Sequence, residues 1–167
     1  ITGREILVQK NRGLRMEPAG TLIHRATDQG TTLFVIDLEG KNKRFLPVGQ
    51  PITAGATGHE CFLGDTGRVL FSVGWNAPDF YQFKHDSRFP KGNIFSARPG
   101  DEKPTCFEAP EHFFNHVCAS RCGKYFVADS YVNGALFSRA TKSITSPALV
   151  VGNLDTGKHR ILVTESK

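Results

Sequence analysis

The chain is a succession of short apolar runs, rich in β-branched and aromatic residues, cut apart by glycine-bearing turns. Three runs follow one kind of turn: Glu5-Ile6-Leu7-Val8-Gln9 after Thr2-Gly3-Arg4, Val69-Leu70-Phe71 after Thr66-Gly67-Arg68, and Tyr125-Phe126-Val127 after Cys122-Gly123-Lys124. Glycine suits such a turn because it takes positive φ without a steric penalty. Ahead of the second and third copies lies another apolar run opened by a histidine, His59-Glu60-Cys61-Phe62-Leu63 and His116-Val117-Cys118-Ala119. Further along each unit come residues 33–40, 93–100 and 149–157, each an apolar strand ending in a glycine turn. One more β-prone run closes each unit, at residues 43–46, 105–107 and 159–163.

The repeating unit is therefore four strands, A to D, joined by hairpins. No window sustains a helical apolar period, and 17 Gly and 9 Pro punctuate the chain. Four short antiparallel strands per repeat predict an all-β chain, a β-propeller fragment of just under three four-stranded antiparallel blades. The blade pieces are expected at about residues 1–50, 51–110 and 111–167 of one partial domain. Because propellers close with about four to eight blades and the chain opens inside a repeat, a piece of a longer protein is expected.

The extra length of each repeat falls between strands B and C, at residues 10–32, 74–92 and 131–147. In an up-and-down blade these loops share a face with the D-to-A connections. His59 and His116, read as ending those connections, are expected on that face, at the start of the innermost strand and beside the central channel. Two imidazoles there could act as a general base or as metal ligands. Equally, an inner-strand histidine can serve only to hydrogen-bond neighbouring strand residues. His24, His85, His112 and His159 have no counterparts in the repeat, and a solvated surface position is expected for most. The loop at residues 79–91 interleaves aromatic and basic groups that could stack on sugars or bases, or pack over the blade.

Composition adjusts this picture in three ways. At 167 residues and 39% hydrophobic, the chain can build a real core. A net charge of +5 and a pI near 9.2 favour an acidic partner, be it nucleic acid, anionic lipid or polyanionic sugar, although scattered basic residues also serve plain solubility. Cys61 and Cys118 occupy the same place in the repeat. With Cys106 and Cys122 they fit neither a disulfide scaffold nor a complete zinc site, so reduced, buried thiols are expected. No long apolar segment or signal peptide is evident, which predicts a soluble, cytoplasmic chain. Nucleophile-elbow, phosphate-loop and His-Glu-x-x-His motifs are absent from the sequence, and Asp65 and Asp155 read as turn formers.

Residues 58–68, Gly-His-Glu-Cys-Phe-Leu-Gly-Asp-Thr-Gly-Arg, together with residues 115–130, Asn-His-Val-Cys-Ala-Ser-Arg-Cys-Gly-Lys-Tyr-Phe-Val-Ala-Asp-Ser, resemble the oligogalacturonate lyase family of seven-bladed propellers. The similarity runs from about residue 32 onward. It implies metal-assisted β-elimination on short pectic uronides with a bound manganese ion, an oligogalacturonide or other acidic sugar as partner, and no nucleic acid or membrane. It also implies that His59 is the catalytic base and His116 a metal ligand. The family's further ligands lie on a following blade that this sequence does not contain, and one histidine cannot hold a catalytic metal alone. The sequence by itself is thus expected to be nearly inactive. The other reading it leaves open is a non-catalytic propeller that binds protein or carbohydrate.

Overall fold

The computed structural model describes residues 4–11, 14–16, 22–24, 31–48, 56–74, 91–132 and 147–164. Within them the chain forms thirteen strands and no helix. The first sheet holds β1 (Glu5–Asn11), β4 (Thr31–Asp37) and β5 (Arg44–Phe45), with the order β1-β4-β5. The second runs β6 (Ala56–Phe62), β7 (Val69–Gly74), β8 (Ile94–Ala97) and β9 (Thr105–Phe107) in sequence order. The third does the same with β10 (His112–Ala119), β11 (Tyr125–Val132), β12 (Pro147–Asn153) and β13 (His159–Thr164). Every pairing is antiparallel. This is the expected propeller arrangement, three strands and then four and four.

Sequence reading did not anticipate a small hairpin of β2 (Leu14–Met16) and β3 (Leu22–His24), which lies in a stretch read as loop. Three-residue strands are too short to show alternation. Of the long B-to-C loops, residues 75–90 and 133–146 lie outside the described residues, and with them His85 and most of the aromatic-basic loop.

Why the sheets stack is visible in the central one, whose side chains alternate between two cores. Val69, Phe71, Phe95 and Ala97 pack with Leu33, Val35 and Leu46 of the first sheet region. Leu70 and Ile94, on the opposite face, pack with Phe114, Phe126, Ala128 and Val150 of the third. Period-two alternation thus reads as a continuous apolar run because both faces are covered. Phe71, Leu70, Leu33 and Val69 are each 0% exposed. Burying a side chain of this size stabilises the fold by about 1.5–3 kcal/mol, so the inter-sheet cores carry the structure.

The Gly-basic turns hold neighbouring sheets together. Gly67 and Gly123 have φ of 71° and 72°. The two hairpins meet so closely that a Cβ on Gly64 would lie 2.2 Å from the Arg121 carbonyl oxygen, and one on Gly123 would lie 2.6 Å from Thr66 Cγ2. Arg68 serves the fold as well, since its guanidinium donates to the Ser96 carbonyl at 2.9 Å and to Ser96 Oγ at 2.8 Å.

The expectation of buried thiols is corrected in part. All four cysteines are free, but Cys118 and Cys122 are exposed and only Cys61 and Cys106 are partly buried. Strands β6 and β10 both break register, but the β10 break falls one residue earlier in the repeat, so Cys118 is the second paired residue past its break where Cys61 is the first past its own.

Candidate functional site

His59 and His116 do come together. They lie on β6 and β10, the first strands of adjacent sheets, which run against each other. Their ring centroids are 4.1 Å apart with the planes tilted by 58°. Neither begins its strand, contrary to the sequence reading; both sit inside it, at a break in register. On β6, Gly58 pairs with Ser72 and Cys61 with Leu70, so His59 and Glu60 together face Phe71. On β10, Phe114 pairs with Ser130 and Val117 with Ala128, so Asn115 and His116 face Asp129. A bulge of this kind interrupts the apolar pattern, which is why the run seemed to start after the histidine, and it re-aims the side chains it carries.

The two bulges differ in what they ask of the backbone. His59 has φ of +54°, a left-handed conformation that costs an L-residue roughly 1–2 kcal/mol. Strain of this sort concentrates at functional positions. His116 is fixed by a partner across the strand: its backbone N–H donates to Asp129 Oδ1 at 2.6 Å. Its ring Nδ1 lies 3.1 Å from Asp129 Oδ2 and 3.1 Å from Asn115 Nδ2. With the Nδ1 proton given to the carboxylate, Nε2 is left with its lone pair for an incoming group. Both rings are exposed, His116 to 64% of its side chain. Next to His59 in the chain, Glu60 buries Oε2 with no hydrogen-bond partner among the described residues.

A second histidine cluster was missed by sequence reading, which expected surface positions. His112 is 3% exposed, and His159 keeps only 19% of its side chain in solvent. Their rings are perpendicular at 5.0 Å. His112 Nδ1 meets Ser130 Oγ at 2.9 Å, and His159 Nε2 meets Glu111 Oε1 at 2.6 Å. Burial, and then the neighbouring His159, push the His112 pKa down from its ordinary value of 6.5, against a weaker pull from Glu111. Burial alone would raise the Glu111 pKa; hydrogen bonds from its own backbone and from His159, with the charge of both histidines, outweigh it and hold the carboxyl below its usual range. No repeat partner marked these residues, and strand D carries an outward label in the repeat. Only the packing of Phe107 against His159, with centroids 6.0 Å apart, shows that this strand's first residue turns inward.

As for a metal at the His59–His116 pair, the described residues supply His116 as one oriented imidazole. Among them the one set of three metal-ligating side chains with converging donor atoms is Glu111, His112 and His159, not a set that contains His116. One imidazole does not make a manganese site, which calls for several oxygen and nitrogen donors.

No protein-family model matches the chain, and no curated protein matches it in sequence. Among solved structures it is similar to an oligogalacturonate lyase in complex with manganese, with a TM-score of 0.62 and 13% sequence identity. The match covers 98% of this chain and 39% of that one, so the chain spans well under half of the lyase's length. No helix among the described residues is long and apolar enough to cross a membrane. At this identity the likeness carries architecture alone: the chain is an all-β, propeller-type stack of antiparallel blades.

Proposed function

We propose that the His59–His116 pair is the reacting centre of an oligogalacturonate-lyase-like protein that cleaves short pectic uronides by β-elimination. The observation that carries this reading is the meeting of two bulge-borne imidazoles from adjacent sheets at 4.1 Å, one of them on a strained backbone. His59 takes the C5 proton of the uronide. The electron pair forms a C4–C5 double bond, the bond from C4 to the glycosidic oxygen breaks, and that oxygen leaves with a proton taken from solvent. His116, its Nδ1 turned to Asp129, keeps a lone pair on Nε2 for a cation that would in turn meet the uronate carboxylate. A divalent cation bound there would add charge against the carbanion, but the residues described do not complete its shell.

The test is incubation of a protein in which these residues stand within a complete propeller, with digalacturonate and manganese, read by absorbance of the unsaturated uronide. Product that disappears in His59→Ala supports the proposal. Absence of product under those conditions overturns it.

The second reading, a non-catalytic propeller that binds protein or carbohydrate, is favoured by one observation: no third donor joins His116 among the described residues. Digalacturonate that shifts the His59 and His116 ring resonances without being cleaved would support it.

A further inference from the structure

Glu111, His112 and His159 meet where the third sheet faces the second, and none of them takes part in the reaction above. Beneath them lie the small buried residues Ala128, Ser130 and Ala148, while Phe126 fills the space over Gly152. Across this sheet an imidazole from the start of β10 and another from the start of β13 reach each other. Phe114 stacks beside the His112 ring at 5.4 Å, and Phe107 stands edge-on to His159, walling the pair off with apolar surface.

The hydrogen bonds already present fix what each ring offers. A His112 that gives its Nδ1 proton to Ser130 keeps a lone pair on Nε2. Metal-ligating histidines are held in this way, with one nitrogen tied so that the other is aimed. His159 Nε2 faces Glu111 Oε1 at 2.6 Å, and a cation that takes the place of the shared proton would be held by that nitrogen and that carboxylate together. One donor atom from each of the three side chains lies within 4.8 Å of the other two.

We propose that Glu111, His112 and His159 form a binding site for a divalent transition ion of zinc's class, independent of the lyase reading. Two imidazoles and one carboxylate suit zinc and its neighbours rather than calcium or magnesium, which take oxygen shells. A tetrahedral site with bonds of about 2.0–2.1 Å holds its donors about 3.3 Å apart. The movement this requires falls on Glu111, whose side chain is 45% exposed. The solvent-facing side of Glu111 leaves an open position for water.

The protein, stripped with chelator, is titrated with zinc chloride by calorimetry and with cobalt chloride by visible spectroscopy. One equivalent of zinc is expected to bind and to raise Tm, and cobalt is expected to give ligand-field bands without a sulfur-to-cobalt charge-transfer band. Glu111→Gln, at an exposed position that leaves the core intact, should weaken zinc binding on the order of tenfold or more. His159→Asn should abolish it, and His116→Ala should leave it unchanged. No zinc binding, equal affinity in Glu111→Gln, loss in His116→Ala, or a charge-transfer band marking a cysteine ligand would each overturn the proposal.

Discussion

The imidazole of His59 rests 4.1 Å, centroid to centroid, from that of His116, although the two belong to different sheets. The contact depends on the bulge at His59, where the backbone is left-handed at φ +54°. A glycine there has no such penalty, whereas alanine keeps it. His59→Gly is therefore expected to be more stable than His59→Ala by about 1 kcal/mol, with both inactive in the elimination assay. Urea denaturation of the two variants measures this. An alanine variant as stable as the glycine one would mean that the bulge stores no strain.

Asp129 holds both the backbone N–H and the ring Nδ1 of His116. Replacement by Asn keeps an acceptor for the backbone N–H but lets the amide donate to the ring, which turns the tautomer and moves the lone pair off Nε2. For Asp129→Asn, the proposed elimination should fall while the fold is retained, and the His116 ring should change tautomer. Ring nitrogen chemical shifts, which distinguish the two tautomers, report the second effect. Unchanged ring nitrogen shifts would mean that the carboxylate does not set the tautomer.

His112 supplies a pH dependence of stability. Its pKa in the folded chain lies below the ordinary 6.5, chiefly through burial. As pH falls, the unfolded chain takes up this proton before the folded one does, so stability is complete above about pH 6.5 and declines as pH drops through the folded value. Glu111, held below its ordinary 4.5, adds a loss of the same sign at lower pH. Melting in the presence of chelator should show Tm decreasing below about pH 6.5, and His112→Gln should flatten that slope. A slope that survives the substitution would assign it elsewhere.

Much of the blade plan was legible because its signals are local. Apolar runs and glycine turns place β1 and β4 to β13 correctly to within a few residues, and Gly67 and Gly123 have the positive φ their turns require. The pairing of His59 with His116 was legible through repetition: equal places in successive blades become neighbours. What escaped was set by unrepeated contacts. His112 and His159 come together across a sheet whose buried Ser130 and Ala148 are small, and Asp129 reaches His116 only because a bulge sets two residues opposite one. The one-residue offset between the β6 and β10 breaks separates Cys118, an exposed thiol, from Cys61, whose place the repeat suggested it shares.

The four thiols should consequently react unequally. Cys106 is partly buried, and desolvation, reinforced by Glu108, pushes its pKa up to about 12. Cys122 is exposed, and its pKa is lowered by the hydrogen bond with Ser120, 3.3 Å away, and then by the backbone at Lys124. Ser120 Oγ accepts from the Tyr125 N–H at 3.0 Å, which leaves its own proton for the sulfur. Iodoacetamide at neutral pH should label Cys122 first and Cys106 last, because only the thiolate reacts. Peptide mass mapping over time gives the order, and Ser120→Ala should slow Cys122.

Asn93 ties the second sheet to the strand that carries His116. It is 1% exposed, its Nδ2 donates to the Phe114 carbonyl at 2.6 Å, and its Oδ1 accepts from the Phe114 N–H at 3.0 Å. Both backbone groups belong to the residue just before the β10 bulge, so the carboxamide fixes the strand where the register breaks. Asn93→Ala would leave a buried N–H and a buried carbonyl without partners, at about 1–3 kcal/mol each. A total loss of about 2–6 kcal/mol by urea denaturation is expected, together with faster amide exchange at Phe114. Asn93→Asp should be worse than alanine, since a carboxylate oxygen would then face the Phe114 carbonyl. If alanine costs under about 1 kcal/mol and Phe114 exchange is unchanged, the clamp does not hold β10, and the placement of His116 rests on Asp129 alone.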